Sequence, residues 1–166
     1  MYIRPVKRTD TNMLFSFFEQ LDSETSFLLF EPGERNPSLE RQEKRLEQIL
    51  ASEQERMWVV TDEQQIVGYL GLRRGNANRT RHAAVIALGL LQTYCGQGWG
   101  TRLLQQAEAW AREHRIRRLS LTVMVHNERA LRLYLKQGFA IEGLQKDSLL
   151  VDGNYVNEVG MAKILD

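Results

Sequence analysis

The stretch from His82 to Leu104, HAAVIALGLLQTYCGQGWGTRLL, decides the fold. Its first part, AAVIALGLL, is apolar at both alternating positions, which predicts a central strand covered on both sides. Gly96, Gly98 and Gly100 then recur at every second position. Beyond them Leu103, Leu104, Ala107, Trp110 and Ala111 fall at helical spacing. The reading is strand, glycine-rich turn, helix. Leu119, Leu121, Val123 and Val125 alternate with Ser120, Thr122 and Met124, so a further strand follows. A crossover helix between two strands of one sheet makes a right-handed parallel unit, and these two strands are therefore expected to lie parallel.

Working outward, Asn127 is an N-cap for a helix bearing Ala130, Leu131, Tyr134 and Leu135, and Gly138 closes it. Phe139–Val151 and Tyr155–Ile164 predict a hairpin about Asp152-Gly153. Upstream, Met57–Thr61 and Ile66–Arg74 read as strands joined by short links, hence antiparallel. Tyr2–Val6 reads as a first strand, and Thr9-Asp10 as the start of a helix carrying Met13, Leu14, Phe17, Phe18 and Leu21. Ser23 to Pro37 reads as a loop mixing Phe27, Leu28, Leu29 and Phe30 with Glu31 and Glu34. Ser38 then starts a polar helix striped by Leu39, Leu46, Ile49 and Leu50. The fold class is α/β: one domain over residues 1–166, with a mixed, largely antiparallel sheet of about seven strands, helices on both faces and one parallel pair.

Composition narrows the function. The 166 residues are 43% hydrophobic and 26% charged, an ordinary globular balance. A single cysteine makes no internal disulfide, and three histidines without metal-ligand spacing predict no metal site. A reducing, cytoplasmic setting follows. With 22 Lys and Arg against 21 Asp and Glu, no global field draws the chain to nucleic acid or to a membrane surface, so neither is expected as a partner. The arginines of the 73–81 stretch read as a solvated hairpin tip, and Arg112, Arg115, Arg117 and Arg118 as a solvated helix end.

Recognition of phosphate must then be local. A glycine-rich turn feeding a helix N-terminus offers backbone N–H groups to an anion without any lysine; the same glycines also serve a tight strand-to-helix turn. A P-loop would need a lysine before Thr101, and none is there. A dinucleotide fingerprint would place its third glycine one position later and a carboxylate near Leu119.

Cys95-Gly96-Gln97-Gly98-Trp99-Gly100, together with Asn127, Ala130, Tyr134 and Gly138-Phe139 about 30 residues on, resembles the two signature segments of the GCN5-related N-acetyltransferases. The terminal hairpin resembles the branch that contains ribosomal-protein N-terminal and small-amine acetyltransferases. One position departs: Cys95 stands where that family has Arg or Gln. The resemblance implies a cytoplasmic enzyme that moves an acetyl group from acetyl-CoA to a primary amine of a small metabolite, peptide or protein N-terminus, with no metal. The parallel pair would then flank the coenzyme. By resemblance Leu88 and Leu90 pair through their backbone with the pantetheine arm. Gly96, Gln97, Gly98, Trp99, Gly100 and Thr101 receive the pyrophosphate, with Cys95 opening that coenzyme-binding segment; Asn127 and Ala130 lie along the coenzyme; Tyr134 is the acid at the sulfur. Glu31, Glu34 and Glu158 are the candidates for gripping or deprotonating the amine. A noncatalytic acyl-CoA sensor or interaction module of the same fold is the alternative, and the edge of a terminal strand offers a surface for a homodimer.

Overall fold

The computed structural model describes residues 1–35 and 38–166. Asn36 and Pro37, the end of the expected loop, lie outside the described residues. Among the described residues seven strands and four α-helices follow one another: β1 (Tyr2–Pro5), α1 (Thr11–Glu24), α2 (Leu39–Ala51), β2 (Glu55–Thr61), β3 (Ile66–Arg74), β4 (Ala83–Leu90), α3 (Trp99–Glu113), β5 (Arg118–Met124), α4 (Glu128–Lys136), β6 (Ala140–Val151) and β7 (Asn154–Ile164). The strands hydrogen-bond in the order β1-β2-β3-β4-β5-β7-β6. The pairs β1-β2, β2-β3, β5-β7 and β6-β7 are antiparallel, and β4-β5 is parallel, as the crossover argument requires. The mixed α/β sheet expected from sequence is the one observed.

Two compact units divide the chain. The first comprises Met1–Arg73 and Ala87–Ala107. Its buried side chains include Leu14, Leu21, Leu46, Val59, Leu70, Leu103 and Leu104. Thr9-Asp10 do precede a helix, α1 from Thr11, as expected, but the Asp10 side chain makes no cap bond to it. Its carboxylate instead takes a two-pronged bond from Arg4, at 2.7 and 2.9 Å, and the Lys7 N–H at 2.7 Å, so β1 is tied to the entry of α1. Ser38 does cap α2, accepting from the Arg41 N–H at 3.3 Å. The stripe of α2 is narrower than its spacing implied. Leu46 and Ile49 are buried, Leu39 and Leu50 are exposed, and Gln42 is buried in their place; a polar side chain on the inward face is invisible to a hydrophobic pattern.

The second unit comprises Arg74–Ile86 and Glu108–Asp166. Leu119, Leu121, Val123, Phe139 and Met161 are buried there. The β6-β7 hairpin turns at Asp152 (φ 49°) and Gly153 (φ 77°), two successive left-handed residues, the geometry that matches the twist of paired strands and that Asp-Gly favours. The β6-β7 register also shifts between Gln145 and Leu149, where Asp147 sits at φ 50° and donates its N–H to Asn157 Oδ1 at 2.8 Å. That bulge has no glycine to announce it.

One expectation fails at β4. The strand is not covered on both faces: Ala84, Ile86 and Gly89 are buried, but Val85 and Ala87 are exposed, Val85 by 52%. An unbroken apolar run states that neither face is costly to bury, and it does not state that both are covered.

Candidate active site

The glycine turn lies in the first unit. Leu88 and Leu90, both half-buried, end β4. Gln92–Tyr94 form a short 3-10 turn before the Cys95–Thr101 segment, and α3 runs 15 residues from Trp99. Gly96 and Gly98 hold φ of 78° and 84°, the left-handed region that glycine enters at no steric cost. At both positions a Cβ would meet nothing within 4 Å, so the bend is not filled by its own side chains. Those side chains are turned elsewhere. The Cys95 thiol faces the carbonyls of Leu90 and Leu91 at 3.8 and 3.6 Å; Gln97 donates to the Thr93 carbonyl at 2.9 Å; the Arg102 guanidinium stands 4.8 Å from the Trp99 ring centre. The turn therefore presents backbone, followed by the unpaired N–H groups of the first helical turn around Gly100 and Thr101. Such a head of a 15-residue helix receives anions.

Asn127, Ala130 and Tyr134 lie in the second unit. Asn127 Oδ1 accepts from the Ala130 N–H at 3.3 Å, the expected N-cap. At the other end the Phe139 N–H bonds the Tyr134 carbonyl and the Gly138 N–H the Leu135 carbonyl, both at 3.0 Å, with Gly138 at φ 87°. This is a Schellman closure, and its usual apolar contact is present as Tyr134 edge-on to Phe139, ring centres 5.7 Å apart. Tyr134 is only 7% exposed. Its backbone carbonyl and its ring are both fixed by the residues that end the helix.

The candidate carboxylates divide. Glu34 accepts from the Glu31 N–H at 2.7 Å while its own N–H bonds the Glu31 carbonyl at 3.1 Å; this carboxylate closes its own loop, and both residues are exposed. Glu158 is half-buried on β7, opposite Met124 of β5 and Gln145 of β6. The structure adds residues that no motif marked. Asp22 binds Arg35 through two bonds of 2.9 and 3.0 Å. The guanidinium stands 4.4 Å from the Phe18 ring centre, 4.8 Å from Phe30 and 5.9 Å from Tyr69. Burial, the largest single effect, disfavours the charge of Arg35, but Asp22 and Tyr69 together outweigh it and raise its pKa. Burial also pushes the Tyr69 phenol up. Glu24, at the end of α1, accepts from the Gln92 N–H at 2.8 Å and from Gln20 at 2.7 Å, so the loop after α1 starts from a helix end fastened to the backbone after β4. Among the described residues no group of His, Cys, Asp and Glu is placed to hold a metal, and no helix is long and apolar enough to cross a membrane.

The sheet is mixed, and its parallel pair β4-β5 is joined through a glycine-rich turn and a helix, with no P-loop lysine before Thr101. The family model described as Acetyltransferase (GNAT) family matches residues 17–139, and the chain belongs to that family. A GNAT acetyltransferase structure from Streptococcus pneumoniae is 28% identical, with a TM-score of 0.92 over 99% of each chain. The phosphinothricin acetyltransferase of Sinorhizobium meliloti, solved with acetyl-CoA, superposes with a TM-score of 0.85 at 17% identity, over 99% of this chain and 88% of that one. The L-amino acid N-acetyltransferase of Escherichia coli (strain K12) is 30% identical over 103 residues, 60% of this chain and 62% of that one. The matched stretches span 50–62% of the length of the curated relatives.

Proposed function

We propose that the chain takes acetyl-CoA and transfers its acetyl group to a primary amine of a small metabolite, peptide or protein N-terminus, in a ternary complex. The open glycine turn carries this reading: two left-handed glycines with free space at their Cβ positions, at the head of α3. Bound acetyl-CoA supplies the acetyl group and a thiol leaving group, and a neighbour of the same fold holds that molecule. The amides of Gly96 through Thr101 hold the diphosphate, and the backbone of Leu88 and Leu90 orients the arm. Asn127 and Ala130 line it.

An amine of pKa about 10.4, or 7.7–8.0 for an α-amine, must lose a proton before it attacks. Glu31, Glu34 and Glu158 are the carboxylates assigned to the amine side, and of the three the Glu34 carboxylate is the one engaged in closing its own loop. As the new N–C bond forms and the C–S bond breaks, the departing sulfur needs a proton, which the Tyr134 hydroxyl donates. The residues work in a reducing, cytoplasmic setting as one domain over 1–166, and two copies pair through the edge of a terminal strand.

Calorimetry with acetyl-CoA, followed by thiol release against a panel of amines, tests the proposal. Binding with thiol release is expected. Binding without release on any amine identifies a noncatalytic sensor instead, and absence of both rejects the reading.

A further inference from the structure

The near-neutral total charge conceals a division. The unit of Arg74–Ile86 and Glu108–Asp166 holds twelve Lys and Arg against eight Asp and Glu; the other holds ten against thirteen. Within the basic unit the charge is concentrated further. The His82 carbonyl accepts from the N–H of Arg117 at 2.7 Å and of Arg118 at 3.1 Å, and Ala83 lies opposite Arg118. The turn before β4 and the turn before β5 are thereby held side by side, at the end of β4 away from the glycine turn. Residues 74–82 and 112–118 together contain seven arginines, one carboxylate and no lysine.

Three of the seven are engaged. Arg118 pairs with Glu142, Arg112 donates to the Asp166 carbonyl at 2.8 Å, and Arg74 donates to the Arg81 carbonyl. Arg79, Arg81, Arg115 and Arg117 are exposed, and none of them forms an ion pair among the described residues. Attraction to the negative C-terminal end of α3 accounts for Arg112, but not for Arg79 or Arg81 on the other turn. Arg115 departs from local preference as well. It sits at φ 56°, in the position after α3 where the Ile116 N–H bonds the Ala111 carbonyl at 2.8 Å. Glycine or asparagine is the favoured residue there.

We propose that these two turns form a docking surface for the phosphate backbone of a nucleic acid, a partner that the balanced total charge argued against. The guanidinium fork matches phosphate oxygens in pairs, which a lysine cannot do. A protein partner would need an apolar centre to its interface, and a membrane would need apolar anchors; neither turn exposes a large apolar side chain. The exposed rings of the two turns are the imidazoles of His82 and His114, and the His114 ring is already stacked on Trp110, ring centres 3.9 Å apart; with contacts that come from guanidinium groups, the surface reads duplex backbone and not sequence. It does not depend on acetyl transfer.

Fluorescence anisotropy with a labelled 20-base-pair RNA duplex tests the proposal. Four phosphate contacts predict a log–log salt slope of about −3 to −4, a loss of about 100-fold between 50 and 200 mM salt. Reversing Arg79, Arg81, Arg115 and Arg117 to Glu should remove binding at 50 mM salt. Reversing Arg41, Lys44, Arg129 and Lys136, an equal change in net charge placed elsewhere, should leave it within about threefold. Arg115→Gly should raise Tm by about 2 °C and flatten the slope by about 0.9. Absence of binding at 50 mM salt overturns the proposal, as does wild-type binding by a folded quadruple variant or an unchanged slope in Arg115→Gly. Equal binding to polyglutamate or to phosphatidylserine vesicles overturns the choice of partner.

Discussion

The glycine turn and the Asn127–Phe139 helix carry the two signature segments of the family, and they are built in opposite ways. The turn is open and consists of backbone: Gly96 and Gly98 face empty space, while Cys95, Gln97 and Trp99 are occupied with their own neighbours. The helix is closed. A side-chain cap starts it, a Schellman bond pair ends it, and Tyr134 is wedged against Phe139. A site made of amides depends on conformation and tolerates changes of side chain that leave φ alone. The acid role proposed for Tyr134 depends instead on a single hydroxyl held still.

The sharpest test of that contrast is Tyr134→Phe. It removes the oxygen and keeps the ring on Phe139. Turnover should fall about 1000-fold, within the range general acids supply, while the coenzyme Kd measured by calorimetry stays within about threefold. An unchanged kcat would take the acid role from Tyr134 and leave the helix a packing element.

Gly98→Val attacks the other side. The open space means no clash, so the cost is conformational: a β-branched residue resists φ of 84°. The backbone is expected to leave the left-handed region and turn an amide away, weakening coenzyme affinity about 100-fold. Since Gly98 packs against nothing, Tm should fall by only a few degrees. Wild-type affinity in this variant would show that the amides of the turn do not hold the ligand.

What could be read from sequence follows the same division. The Asp152-Gly153 hairpin, the Asn127 cap, the Gly138 closure and the glycine turn were legible because each is a local rule about φ or one hydrogen bond. The parallel β4-β5 pair was legible because chirality constrains crossovers. The buried Gln42 and the open side of β4 at Val85 were not legible, since an apolar pattern does not say what covers it. The Asp22–Arg35 pair was also hidden: no motif couples residues 22 and 35, and only the tertiary fold places that guanidinium among Phe18, Phe30 and Tyr69. The two arginine turns are legible singly as solvated tips, and become one surface only through the His82 carbonyl.

The Asp22–Arg35 pair adds a region held by charge, unlike either signature segment. Asp22→Asn keeps the shape but leaves the Arg35 cation without its counter-charge. A loss of about 2 kcal/mol is expected, read as a Tm lower by about 4–8 °C. The KM for the amine should rise more than that for acetyl-CoA, because the pair fastens the Thr25–Arg35 loop and not the glycine turn. A smaller effect belongs to Asn127→Ala, which removes one cap bond: about 1 kcal/mol, or about 2–4 °C in Tm. If its coenzyme affinity drops by more than about threefold as well, Asn127 touches the ligand besides starting the helix.

The smallest effect expected is at Cys95, and it bears most directly on the claim that the turn works through its backbone. The family has Arg or Gln at this position, which would add a side-chain contact to the amides; here the half-buried thiol points back at the Leu90 and Leu91 carbonyls. A thiol is a weak donor at such distances, so Cys95→Ala should cost less than about 0.5 kcal/mol and leave the coenzyme Kd within about twofold. Cys95→Arg should tighten it a few-fold at low salt and less at high salt, as an added surface charge on a phosphate does. A tenfold weakening in Cys95→Ala would mean that this side chain sets the conformation of Gly96 and Gly98, and the division between an amide-built turn and a side-chain-built helix would fail at its first residue.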